Sequence, residues 1–321
     1  MNRIEIEVLE PGLQTTFQDL GRSSGRRYGI PPGGVMDHFA HRAANELVRN
    51  IPTEATLEIT LQGPRLLFTT PALISLTGAD LGPMLNDRPV PLWMSVFVRA
   101  GQVLSFTPRT IKPGLTDLGG KWGGRAYLAV HGGFEAPQSL DSRSTYLRAK
   151  YSGIKGEGRT LQPGDVLLAN PPQLRSFAEA AGRLFPTNRR PAYGHAVAVR
   201  VQPGPYQEHF QPTAYANLFS QTYKVTNDAD RMGFRLEGAP LSHVSPELAE
   251  IPACGAVFGV IQVPANGQPI ILMADHQVTG GYPIIGAVLS ADLPLVAQLL
   301  PGDEIRFINA ESFENKISEE N

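Results

Sequence analysis

A single cysteine, Cys254, in 321 residues excludes an internal disulfide and any Cys-x-x-Cys metal or redox site, and such usage fits a reducing compartment. No apolar run approaches the roughly 20 residues that span a bilayer. The opening residues MNRIEIEVLEPG alternate apolar and acidic side chains and lack the apolar core of a signal peptide, which leads us to expect a cytoplasmic protein. Lys and Arg number 28 against 30 Asp and Glu, a net charge of −2, so there is no basic footprint for nucleic acid and no Lys/Arg run for a membrane surface. Nucleotide signatures are missing as well. No Gly-x-Gly-x-x-Gly follows a strand, there is no Gly-x-Ser-x-Gly elbow, and in GLTDLGGKW (114–122) Gly120 stands at the lysine position while Trp122 follows Lys121 where a hydroxyl ligand for magnesium is needed. No lysine lies in a Met-Lys-Met context, so this chain carries no biotin of its own.

What the chain has in excess is turn-forming residues, 33 Gly and 28 Pro, beside 42% hydrophobic and 18% charged residues. Short runs rich in β-branched and aromatic residues lie between them at 4–9, 56–61, 65–69, 73–77, 96–106, 125–130, 166–169, 197–202, 257–263, 269–273 and 304–308. The spacing predicts a mainly β protein of sandwiches or barrels. Helical patterning is confined to three places. In 36–50, Phe39, Ala43 and Leu47 share a stripe behind a capping Asp37; 212–221 is a second; 292–303 opens at a capping Asp292 and stops at Pro301-Gly302. Two Pro-Gly-Asp turns, at 163–165 and 301–303, each feed a strand and predict a sheet-closing corner. The strand pattern lapses over 170–195, placing a domain boundary near 190, with domains 1–190 and 191–321; the last residues, ESFENKISEEN, read as a polar tail.

Candidate chemistry sits in four places. His38 and His41 are three apart on the predicted helix, but nothing supplies the further donors a metal needs, and they read as solvent-facing; no metal site is expected. In DADRMGFRLEG (228–238), Asp230 and Arg231 precede Gly233. The Arg231 fork suits a carboxylate or phosphate, or else a structural pair at a strand corner. HGGF (131–134) and DSRSTY (141–146) offer backbone N–H groups of Gly132 and Gly133, hydroxyls of Ser142, Ser144 and Thr145, and Arg143; such donor clusters bind anions and also make tight loops. ADHQVTGGYP (274–283) sets Gln277 and Thr279 before Gly280, Gly281 and Tyr282, at once a hairpin corner and a candidate site wall. Cys254 in IPACGAV reads as a small apolar filler.

Taken in order, LQTTFQDLGRSSGRRYGIPPGGVMDHFAHRAANELVRN, ATLEITLQGPRLLF, RAYLAVHGGFEAP, SRSTYL, DRMGFRLEG and VIQVPANGQPIILMADHQVTGGYPIIGAVLSADL resemble the family of the 5-oxoprolinase C subunit over about residues 4–308. The family is also described as biotin-dependent carboxyltransferase-like, as allophanate hydrolase subunit 2, and as the antagonist of a sporulation-kinase inhibitor. The resemblance implies two cyclophilin-like β-barrel domains with few short helices. It implies a cytoplasmic component that works with the B and A subunits of 5-oxoprolinase to open 5-oxo-L-proline to L-glutamate, with ATP and magnesium belonging to the complex. It equally leaves room for a carboxyltransferase-type component acting on urea or a related amide with biotin from another chain, and for a non-catalytic regulator that binds a kinase inhibitor similar to the B subunit. For the first of these, Arg231 is expected to clamp a carboxylate or phosphate with Asp230 orienting it, and Gln277 and Thr279 to hydrogen-bond the amide. Gly280 and Gly281 give close backbone approach, Tyr282 walls the pocket, and Gly132, Gly133, Ser142, Arg143 and Thr145 complete it. The sequence departs from the family pattern at Val278, where a Thr is usual, at His131 before the Gly-Gly pair, and at His276; neither histidine is assigned a catalytic role.

Overall fold

The computed structural model describes residues 3–107, 123–171, 174 and 176–311. The near match to a phosphate loop at 114–122 and residues 312–321 of the polar tail lie outside them. The chain is mainly β and divides into two compact units, one made of Met1–Ser24 and Gly33–Ala192, the other of Gly25–Pro32 and Tyr193–Asn321. The short segment Gly25–Pro32 thus groups with the second half of the chain.

In the first unit, alternation sets the strands: Ile4, Ile6 and Val8 of Ile4–Glu10 are buried while Glu5 and Glu7 face outward. That strand sits between Val166–Ala169 and Arg65–Phe68 in a seven-stranded sheet among the described residues. A second, five-stranded sheet runs Gln14–Gln18, Thr56–Thr60, Arg125–Val130, Ala72–Gly78 and Ser95–Val98. Side chains from both sheets, among them Ile6, Phe68, Ile59, Ile74, Leu128 and Phe134, form one apolar core. Ala72–Gly78 and Arg125–Val130 are buried on both faces because the helix His38–Leu47 packs across the side away from that core. Ser75 and Thr77 donate their hydroxyls to the helix carbonyls of Ala44 and Ala40, each at 2.6 Å. Asp37 caps the helix as expected, accepting from the Ala40 N–H at 2.9 Å.

The second unit closes into a barrel, Ala196–Pro203, Ile284–Val288, Val260–Gln262, Ile270–Leu272, Gly233–Glu237, Thr222–Val225 and Glu304–Asn309, the last pairing in parallel with the first from Ala196↔Glu304 to Val201↔Asn309. Val197, Val199 and Val201 point inward. Closure leaves this sheet without an open edge, apart from a two-stranded ribbon, Cys254–Gly255 with Thr279–Gly280. Both Pro-Gly-Asp turns do the same work. Asp165 accepts from the Gln162 N–H and Asp303 from the Leu300 N–H, at 2.8 and 2.7 Å, while Gly164 donates to Val8 and Gly302 to Val225.

Two local expectations change. The last helix is only Leu293–Ala297, and Asp292 does not cap it: its carboxylate takes the Arg200 N–H at 2.7 Å and the guanidinium at 2.9 and 2.6 Å. His41 does not face solvent. It is fully buried, with Nδ1 2.9 Å from the Thr56 hydroxyl and Nε2 3.0 Å from the Pro52 carbonyl. Burial pushes its pKa down to about 4.

Because the imidazole of His41 is held neutral in the fold but takes up a proton in the unfolded chain near its ordinary value of 6.5, its contribution to stability is complete above that pH. It is lost as pH falls toward about 4, a destabilisation approaching about 3 kcal/mol. Urea unfolding as a function of pH should show that limb, and the His41 ring shifts should titrate near 4; a midpoint near 6.5 would contradict the buried neutral ring.

Candidate functional site

In the second unit the Asp228–Gly238 and Ala274–Pro283 segments meet through one buried ion pair. Arg231, 7% exposed, donates from Nε and Nη2 to the two carboxylate oxygens of Asp275, 6% exposed, at 2.9 and 3.0 Å. The Asp275 N–H donates to the Arg231 carbonyl at 2.8 Å, so main chain and side chain lock the same two positions together. The expected roles are thereby redistributed. Asp275 clasps the guanidinium fork with both oxygens, and Asp230 accepts from the N–H groups of Met232 and Gly233 at 2.8 and 3.2 Å, an Asx-type turn. With that edge of its fork on Asp275, Arg231 positions the loop; it is no free clamp for a substrate carboxylate.

Beside this pair lies a chain of amides. Gln277 donates from Nε2 to Oε1 of Gln262 at 3.2 Å, and its carbonyl lies 2.6 Å from Nδ1 of His276. Gln262 is 1% exposed and His276 fully buried, and Nε2 of each has no hydrogen-bond partner among the described residues. Burial, reinforced by the Arg26 charge, holds the His276 pKa below its ordinary value. The ring is therefore neutral, and with Nδ1–H donating to the Gln277 carbonyl, Nε2 is a bare acceptor. A donor on Gln262 and an acceptor on His276 thus flank Gln277 unmatched. Such a pair complements the C=O and N–H of an amide.

The double glycine has a packing reason. An added Cβ at Gly280 would lie 2.4 Å from Gln262 Nε2, so the missing side chain makes room for that amide; at Gly281 it would meet only the Ile251 carbonyl at 3.4 Å. Thr279 and Gly280 pair with Gly255 and Cys254, and Thr279 and Tyr282 are exposed.

In the first unit the DSRSTY donors do bind an anion, but an internal one. Oδ1 of Asp19 accepts from the hydroxyls of Ser142 and Ser144, both at 2.6 Å, and from the Gly21 N–H at 2.8 Å, while Oδ2 accepts from the Arg143 N–H at 2.5 Å. Thr145 is buried, its N–H on the Phe17 carbonyl and its side chain against Gly153. Ser142 is thus committed to Asp19, while the Thr145 hydroxyl has no hydrogen-bond partner among the described residues. Gly132 and Gly133 are not free donors either: their N–H groups go to Asn50 Oδ1 at 2.9 Å and to the Val130 carbonyl at 3.0 Å, and a Cβ would strike the Asn170 backbone or the Glu54 carboxylate. Of the residues expected from this unit, Thr145 keeps a buried hydroxyl without a hydrogen-bond partner and Arg143 keeps an uncommitted charged side chain, its buried Nε without a hydrogen bond among the described residues. Asp275, Gln262 and Asp19 are outside the expected set. The available signals are a glutamine inside the apolar run VIQV and an acid directly after a strand in TTFQDLG. Among the described residues no group of three or more His, Cys, Asp or Glu could hold a metal, and no helix is long and apolar enough to cross a membrane.

A two-unit β protein with a closed barrel and this polar end has known counterparts. The family model for the carboxyltransferase domain, subdomain A and B, matches residues 28–309, and the chain belongs to that family. It is 39% identical to the C subunit of 5-oxoprolinase from Haemophilus influenzae, over 94% of this chain and 90% of that one. Among solved structures, TTHA0988 superposes with a TM-score of 0.81 at 32% identity, covering 95% of this chain and 55% of that one. Kluyveromyces lactis urea carboxylase gives 0.82 at 29% identity, over 99% of this chain and 28% of that one. The chain thus spans about half or less of those solved chains and nearly the whole of the Haemophilus protein.

Truncating Asp275 to Ala leaves a buried guanidinium uncompensated and should cost about 3–5 kcal/mol in urea unfolding. Asp230→Ala, which removes the turn bonds to the Met232 and Gly233 N–H groups, should cost less, about 1 kcal/mol. Equal losses would contradict Asp275 as the principal anchor of the loop.

Proposed function

We propose that this chain is the C subunit of an ATP-dependent 5-oxoprolinase, acting with the B and A subunits to open 5-oxo-L-proline to L-glutamate. The observation that carries this reading is coextension: the match takes in 90% of a 5-oxoprolinase C subunit but 28% of a urea carboxylase. The unmatched donor and acceptor around Gln277 support it, since a lactam presents one C=O and one N–H. In this reading Gln262 donates to the lactam oxygen, His276 accepts from the lactam N–H, and Gln277 holds the two in register. ATP and magnesium belong to the complex. Transfer of the γ-phosphoryl group to the lactam oxygen releases ADP; water then adds at that carbon, phosphate leaves, and the C–N bond opens to the amine of glutamate. Arg231 and Asp275 keep the loop in place throughout. The carboxyltransferase family match favours a second reading, transfer of a carboxyl group to urea or a related amide with biotin carried by another chain.

The purified chain, combined with its B and A partners, should release ADP and form glutamate only when 5-oxo-L-proline is present. Gln277→Ala should lower kcat by about tenfold, the scale of one lost hydrogen bond, with the complex still assembled. An assembled complex that is inert toward 5-oxo-L-proline but carboxylates urea with a biotinylated carrier would transfer the assignment to the second reading.

A further inference from the structure

We propose that the first unit holds a separate binding site for a small molecule that carries an oxyanion on a compact apolar body, with Arg143 as its anion-binding residue. A cavity of about 420 Å³ lies where the strands Phe134–Glu135 and Val166–Ala169 face the 137–155 loop, and its polar lining includes Arg143, Lys155 and Asn170. Ile154, Val166 and Leu168 supply an apolar wall.

The charge balance at this wall is unequal. Glu135 also lines the cavity, but Arg3 lies 3.0 Å from its carboxylate. Lys155 reaches Asp165 only at 3.4 Å, and Asp165 is already held by both arms of Arg159 at 2.7 and 2.8 Å. Arg143 has no such partner: its Nε is buried without a hydrogen bond. Glu54 acts on it through its field, with no hydrogen bond between them, and burial raises the Glu54 pKa while the Arg143 charge opposes that rise. A half-buried guanidinium without a carboxylate is costly unless an external anion completes it.

The loop that presents these cations is built to stay put. Arg143 is fixed by its own N–H on Asp19, and Leu140, Asp141, Lys150, Ser152 and Lys155 all hold left-handed backbone, with φ between 49° and 62°. Non-glycine residues are kept in that region only where surrounding bonds over-determine them, and such strain gathers around ligand sites. Here those bonds include Gly156 N–H to the Gly153 carbonyl and Glu157 N–H to the Ile154 carbonyl, on either side of Lys155. The backbone that carries the cations is thus preorganised, so an incoming oxyanion meets it without reordering the chain.

The inference is independent of the amide reading in the other unit, and the test keeps the two apart. Cyclopentanecarboxylate, which has the carboxylate and the apolar ring but no amide, is titrated calorimetrically into the full-length chain, with inorganic phosphate as the second probe. Saturable binding that weakens with added salt is expected, about tenfold or more weaker in Arg143→Gln, less affected in Lys155→Ala, and unchanged in Gln277→Ala. Tighter binding of cyclopentanecarboxylate assigns the site to a carboxylic acid, tighter binding of phosphate to a phosphate group, and either supports an oxyanion site. An Arg143→Gln protein with wild-type thermal stability that binds within about twofold of wild type overturns the proposal, as does the absence of saturable binding by both probes at roughly millimolar concentration.

Discussion

A carboxylate taken out of water must be met by donors, and at Asp19 that requirement organises the 140s loop of the first unit. Asp19 follows directly on the strand Gln14–Gln18, whose register against Thr56–Thr60 fixes it in space. Four donors converge on its two oxygens: the hydroxyls of Ser142 and Ser144, the N–H at the Gly21 turn, and the Arg143 main chain. The 140s loop is therefore folded around an anion that belongs to the protein. Ser142 and Ser144 are committed, and Asp19 takes only the main chain of Arg143, leaving its guanidinium out of the cluster.

The second unit solves the same electrostatic problem with the signs exchanged. There the buried group that needs compensation is a guanidinium, and Asp275 supplies both oxygens to it from a segment more than forty residues away. The bidentate geometry matters, since two parallel N–H···O bonds fix orientation as well as distance. Because Asp275 is followed at once by His276 and Gln277, clamping the first helps set Gln277 against Gln262 of the strand Val260–Gln262. The units also share the Pro-Gly-Asp corner, where the aspartate turns back to an N–H three residues earlier and the glycine donates across to the opposing strand.

The sequence is most informative where a local rule decides the outcome. Alternation in IEIEV, VAVRVQ and EIRFI marks strands that exist with the expected inward faces, and Asp37 caps the helix that its position announces. Segments decided by long-range pairing are less legible. Asp292 has the pattern of a cap and instead holds Arg200, because a guanidinium and N–H on the adjacent strand outcompete a short helix's N–H groups. His41 reads as solvent-facing because no local pattern reveals that Thr56 and Pro52 close over it. At the candidate sites the loops are legible but many roles are not: the donors of Gly132, Gly133 and Ser142 can be recognised as donors, while acceptors that take them, such as Asn50 and Asp19, are remote in sequence.

That pattern gives a physical criterion for separating scaffold from site in this fold. Polar residues in the loops fall into those whose hydrogen-bonding capacity is closed by the protein and those left open after the fold is complete. Asp19, Ser142, Asp230, Arg231 and Asp275 are closed, so changing them disturbs geometry first and chemistry second. Gln262 and His276 in one unit and Arg143 in the other are open at a specific atom, and their orientations are fixed by the closed groups beside them. A buried donor or acceptor left unmatched lowers stability by about 1–3 kcal/mol, so its retention calls for a compensating interaction from outside the chain. By their chemistry the open atoms fit the two proposed ligands: an amide edge for the Gln262 and His276 pair, an oxyanion for Arg143.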